Sequence, residues 1–70
     1  MRLVNKETGK EVKVGDKLTD FRGDTAYATY FREPTHGSGK ICVVEDKKDM
    51  NNPSATREYY VSVYGLEWVE

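Results

Sequence analysis

The chain has 70 residues, enough for one domain and too few for two. It is 37% hydrophobic and 33% charged with a net charge of −1, a globular rather than disordered balance that lacks the strongly basic character of a non-specific nucleic-acid binder. Cys42 is the sole cysteine and His36 the sole histidine, so neither an intrachain disulfide nor a Cys/His zinc site can staple the fold.

In chain order the signal is short strands separated by turns. Leu3-Val4 opens a strand, and Glu7-Thr8-Gly9-Lys10 reads as a turn with Gly9 at positive φ. Glu11-Val12-Lys13-Val14 alternates polar and apolar, the period of a half-buried strand. Gly15-Asp16 breaks it, Lys17 to Phe21 resumes it, and Arg22-Gly23-Asp24 turns again. Thr25 to Arg32 carries the clearest strand chemistry, dominated by β-branched and aromatic residues. Strict alternation puts Ala26, Ala28 and Tyr30 on one face and Thr25, Tyr27, Thr29 and Phe31 on the other; the pattern alone does not say which face is inward.

Glu33 to Gly39 is a loop by composition, and Lys40 to Glu45 a strand whose apolar centre predicts burial on both faces. Asp46 to Thr56 is polar, broken at Asn52-Pro53, and is expected as the longest and a mobile loop. Arg57 to Tyr64 returns to strand chemistry, Gly65 interrupts it, and Leu66 to Val69 forms a last short strand. Alternation through Arg57–Tyr64 assigns Tyr59, Val61 and Val63 to the core and leaves Tyr60, Ser62 and Tyr64 exposed. Trp68 is expected to plug one end of the fold, because indole buries a large area.

Five or six short strands with glycine turns imply an all-β domain spanning 1–70, an antiparallel meander rolled into a small barrel. Val12-Lys13-Val14-Gly15-Asp16-Lys17-Leu18 resembles the opening of SH3-like barrels, many of which begin V-x-V-G-D-x-V. That resemblance implies a fold and no activity, since such barrels bind peptides, nucleic acids, ribosomal partners and small ligands alike. Leu3 to Asp16 and Tyr59 to Trp68 also resemble the two ends of short bacteriophage open reading frames, which begin LVNKxTGKEVKVGD and end in a tyrosine-rich strand and YGLEW. This second resemblance implies phage origin and a host-cytoplasm location, and brings no functional residues with it. A lone thiol and an N-terminus without an apolar leader agree with a reducing compartment.

No combination of residues nominates an enzyme or a cofactor site. The loop Pro34-Thr35-His36-Gly37-Ser38-Gly39-Lys40 has glycines before a lysine, but Pro34 stands where a phosphate loop needs glycine and Ile41 where it needs Ser or Thr. A simpler anion loop with His36 and Lys40 as donors is weighed against an ordinary hairpin tip, the commoner use of such residues. His36 in a loop and Cys42 within an apolar strand make a poor nucleophile pair, and Cys42 is expected to act as a small buried hydrophobe. The aromatics carry more information. Exposed Tyr60, Tyr64 and Tyr30 beside Arg57, Arg32 and Lys40 would have the composition of a binding hot spot. The leading expectation is a non-catalytic phage accessory protein that binds and modulates a host protein. The alternatives are a nucleic-acid-binding SH3-like module using Arg22, Arg32, Lys40 and Arg57 beside the tyrosines, and a sponge for a nucleotide signal held at His36 to Lys40, in a pocket between self-associated subunits.

Overall fold

A computed structural model describes residues 1–35 and 39–70. Among the described residues six strands form two antiparallel sheets: β1 (Arg2–Asn5), β2 (Lys17–Thr19), β3 (Thr25–Arg32), β4 (Lys40–Val44), β5 (Arg57–Tyr60) and β6 (Leu66–Val69). The larger sheet runs β2-β3-β4-β5; the smaller pairs the two ends of the chain, β1 with β6, in the register Leu3↔Trp68 and Asn5↔Leu66. No closed barrel is formed by these strands, which corrects the expectation of a single rolled meander. The link between the sheets is the arm Glu11–Asp16. Val12 N–H donates to the Leu3 carbonyl at one end, and Gly15 N–H donates to the Ala28 carbonyl at the other.

That arm is also not the strand its alternation predicts. Glu11 makes one isolated bridge to Val4, and the chain then turns, with the Asp16 carboxylate accepting from Lys13 N–H at 2.9 Å. Val12 is buried while Val14 stands 60% exposed, because the turn takes Val14 off the core. The strand expected over Lys17–Phe21 stops at Thr19. Asp20 Oδ1 accepts from both Arg22 and Asp24 N–H, an Asx turn that ends the ladder and leaves Phe21 in solvent.

The core lies between the sheets and is built from Leu3, Val12, Leu18, Ala26, Ala28, Ile41, Val43, Val61, Tyr64 and Leu66. Ala26 and Ala28 thus point inward, which settles the face of β3 that alternation left open. The alternation does not persist. Ala28 pairs with Val43 and Tyr30 with Cys42, so Thr29 is an extra residue, a bulge whose hydroxyl donates to the Cys42 carbonyl at 3.0 Å. Beyond it the phase is reversed: Phe31 packs against the core and Tyr30 turns out, 61% exposed.

A second phase change corrects the expectation for the tyrosine-rich segment. β5 ends at Tyr60, and Val61–Tyr64 form a 3-10 turn. In such a turn residues three apart share a face, so Val61 and Tyr64 go inward together, at 6% and 8% exposure. Tyr64 is therefore a core residue and not the exposed binding residue its spacing predicts. Its ring meets Tyr59 edge-on, with centroids 6.0 Å apart. Gly65, in the left-handed region at φ 67°, reverses the chain into β6.

Asp46 to Thr56 is more ordered in outline than a polar loop of no periodicity. It holds two short 3-10 turns, Lys47–Asp49 and Pro53–Ala55, each capped by the side chain before it: Asp46 accepts from Lys48 N–H and Asn52 from Ser54 N–H. Trp68 lies partly buried against the core from the smaller sheet. It approaches β4's entry so closely that a Cβ at Gly39 would stand 2.6 Å from the indole nitrogen and 2.8 Å from the Arg32 carbonyl oxygen.

Candidate functional site

The outer face of the larger sheet gathers the residues of interest. Past the Thr29 bulge, β3 presents Tyr30 and Arg32 outward. Antiparallel pairing places Cys42 beside Tyr30 and Lys40 beside Arg32; on the far side of β4, Glu58 stands beside Cys42 and Tyr60 beside Lys40. Two rows result, Tyr30–Cys42–Glu58 and Arg32–Lys40–Tyr60, on one surface of three strands. Neighbours this close across a ladder interact directly.

Glu58 is the hub. Arg32 Nε donates to its Oε2 at 3.0 Å, Lys40 Nζ lies 3.9 Å from its Oε1, and the Cys42 thiol donates to Oε2 at 3.8 Å. Lys40 Nζ also sits 4.7 Å from the centroid of the Tyr60 ring, a cation–π contact. Two cations face one carboxylate, so the surface keeps a positive excess within a chain of net charge −1. Both tyrosines stay in solvent, Tyr30 at 61% and Tyr60 at 56% exposure. Partial burial, and then the Glu58 charge, push the Cys42 thiol above its ordinary value, with Arg32 opposing. A thiol held protonated is a weak nucleophile. Cys42 is also not the buried hydrophobe expected: Ile41 and Val43 take the core side of β4 and leave Cys42 half-buried on the outer side.

Of the residues singled out from sequence, Tyr30, Arg32, Lys40 and Tyr60 come together. Arg57 does not: it pairs with Val43 and so takes the opposite face of β5. Tyr64 is in the core, and His36 lies outside the described residues, as does the centre of the anion loop proposed around it. Arg22 is remote from the tyrosine face, bridging Asp20 and Asp24 at the β2–β3 tip with Phe21 beneath its guanidinium. Glu58 is the member that sequence reading passes over. Its only sequence signal is its place two residues before Tyr60, and the twelve mostly polar residues between β4 and β5 leave their register unreadable.

One concavity adjoins this surface at Tyr60 and another lies away from it, at the β2–β3 tip. The first, of about 530 Å³, begins at Tyr60 and runs between the 3-10 turn and β6, over Val61, Leu66 and Trp68, with Lys6 and Glu67 on its rim. The other, about 440 Å³, is lined by Asp20, Arg22, Asp24, Glu45, Tyr59 and Tyr64. Its carboxylates do not converge as a metal-binding set, and no such group of three or more occurs among the described residues. No described helix is long and apolar enough to cross a membrane. No protein-family model, curated protein or solved structure matches the chain.

Proposed function

We propose that this chain is a non-catalytic binding module, a phage accessory protein that engages and modulates a host protein through the outer face of β3, β4 and β5. The observation that carries this reading is the gathering of Tyr30 and Tyr60, both exposed, with Arg32 and Lys40 on one face. Tyrosine and arginine on a supported sheet surface are the residues that dominate binding energy at protein interfaces. The Glu58 contacts hold the cations in place before a partner arrives, which lowers the entropy lost on association.

An SH3-like layout is part of the same proposal. It is supported by the chain order: an opening strand, an irregular arm, a four-stranded meander, a 3-10 turn, and a last strand returning to pair with the first. The nucleic-acid alternative has weaker support. It calls on four basic residues, of which only Arg32 and Lys40 share the tyrosine face, where the Glu58 carboxylate offsets one of their two charges.

The test is affinity capture from a bacterial extract with the tagged chain, read by native mass spectrometry, beside a Tyr30→Ala/Arg32→Glu variant of unchanged circular dichroism. A host protein retained by the parent chain and lost by the variant supports the reading. A host protein retained equally by both overturns the assignment to this face. Nucleic acid as the sole co-purifying species overturns the protein-binding reading.

A further inference from the structure

The concavity beside Tyr60 has the features of a docking groove for one particular kind of segment. Its floor is apolar: Val61 and Leu66 are almost fully buried, and Trp68 is partly so. Tyr60 forms the wall it shares with the tyrosine face. Lys6 stands at the mouth, its backbone N–H fixed on the Gly65 carbonyl at 3.0 Å. Lys40 lies over the Tyr60 ring, and Arg32, whose side chain is 64% exposed, stands beside Lys40 across the β3–β4 ladder. The Nε contact of Arg32 with Glu58 leaves a guanidinium fork with further donors to present.

Resting on the binding reading above, we propose that this groove takes an extended, acidic segment of a partner protein. An apolar or aromatic side chain would seat over Val61, Leu66 and Trp68, and a carboxylate beside it would sit within reach of Lys6 or of Lys40 and Arg32. Charge complementarity selects the acid: Lys6 on the groove's rim and Lys40 and Arg32 in the row that ends at Tyr60 are three cations against the two carboxylates Glu67 and Glu58. The two carboxylates also favour a peptide over a nucleic-acid strand. A peptide sets one negative charge at one point, whereas a strand carries a phosphate at every nucleotide and would pass both Glu58 and Glu67. The cavity is of the size that accepts a bulky side chain, and the apolar anchor with a charged flank is a recurrent form of peptide recognition.

Trp68 is the sole tryptophan and lines the groove, so its emission reports occupancy. The immobilised full chain is panned against a random library of peptides of about twelve residues, a length sufficient for an extended mode. Enriched peptides are then titrated while Trp68 emission is read. Ser62, exposed on the groove lining, supplies a sign-specific control. Enriched peptides are expected to pair an acidic with an apolar residue and to shift Trp68 emission saturably. Ser62→Glu should weaken them about threefold to fivefold, and Ser62→Lys should tighten them. Failure to enrich, enrichment of basic peptides, or equal weakening by both Ser62 variants overturns the inference. Tighter binding of an oligothymidylate of similar length than of any peptide overturns it in favour of nucleic acid. If the captured host protein is lost on Tyr30→Ala/Arg32→Glu yet kept by both Ser62 variants, the groove assignment fails and the face assignment stands.

Discussion

The two faces of the larger sheet share the strands β3 and β4 and obey opposite rules. The inner face carries Ala26, Ala28, Ile41 and Val43, at most 4% exposed. Ala28 sits directly opposite Val43 across the β3–β4 ladder, leaving no room for more atoms. The outer face, beyond the bulge, carries two large aromatic rings in solvent and a four-member network around Glu58. The inner face is determined by close packing, in which a lost methylene costs transfer energy and opens a void. The outer face is determined by pairing geometry, and its polar contacts are exposed enough to add little stability. The difference teaches that this small domain separates what folds it from what is free to bind.

The largest effect is expected on the inner face. Ile41→Ala removes a fully buried side chain and should lower unfolding free energy by about 2–5 kcal/mol, a loss that leaves a domain of this size largely unfolded; urea denaturation followed by far-UV circular dichroism measures it. An Ile41→Ala chain as stable as the parent would mean that the inner face is not the close-packed one. Gly39→Ala comes next. It combines φ of 69° with a Cβ driven against the Trp68 indole and the Arg32 carbonyl, and should cost at least about 1–3 kcal/mol. Loss of the Trp68 emission maximum on this change would show that the join between the sheets has loosened.

Alkaline pH acts on both faces with the same sign. Burial raises the Tyr64 hydroxyl above its ordinary 10.0 on the inner side, and burial with Glu58 raises the Cys42 thiol above 9.0 on the outer. Both groups are neutral in folded and unfolded chains at lower pH, so their contribution is fully present there. As pH rises through the unfolded-chain values the unfolded state ionises first, and stability is lost until the folded groups also ionise. The urea midpoint should fall above those values, and Tyr64→Phe should flatten the fall. At the thiol, Glu58→Gln removes a raising charge while Arg32 remains, so alkylation of Cys42 by iodoacetamide at mildly alkaline pH should speed up; an unchanged rate would detach Cys42 from the network. The smallest effect on folding belongs to Tyr30→Ala, expected to shift stability by no more than about 0.5 kcal/mol while abolishing partner capture. A large loss of stability there would move Tyr30 from the binding face into the fold.

Much of the strand inventory is legible in the residues, and the failures lie where the chain leaves period two. Thr25–Arg32 is read from its β-branched and aromatic run, and Gly9 from its turn. The Thr29 bulge is not, because one unpaired residue leaves no mark on composition, yet it alone moves Tyr30 outward and Phe31 inward. Tyr64 is misplaced for a related reason: Val61-Ser62-Val63-Tyr64 has strand-like residues but packs as a 3-10 turn. The candidate site was half legible. Tyr30, Arg32, Lys40 and Tyr60 are recognisable as residue types suited to an interface, whereas Glu58 and Cys42 join them only through the register of β4 on β5.

By itself, then, the sequence determined an all-β chain of short strands and the absence of a disulfide or Cys/His staple, because these follow from local conformational preference and from which side chains exist. Tertiary structure decided the rest: two sheets in place of one barrel, the inward turn of Tyr64, and the union of Tyr30, Arg32, Lys40, Glu58 and Tyr60 on one face. Those depend on which strand pairs with which and in what register. Pairing is fixed by burying Ala28, Ile41 and Val43 together against the smaller sheet, a demand on the whole chain that no local pattern encodes.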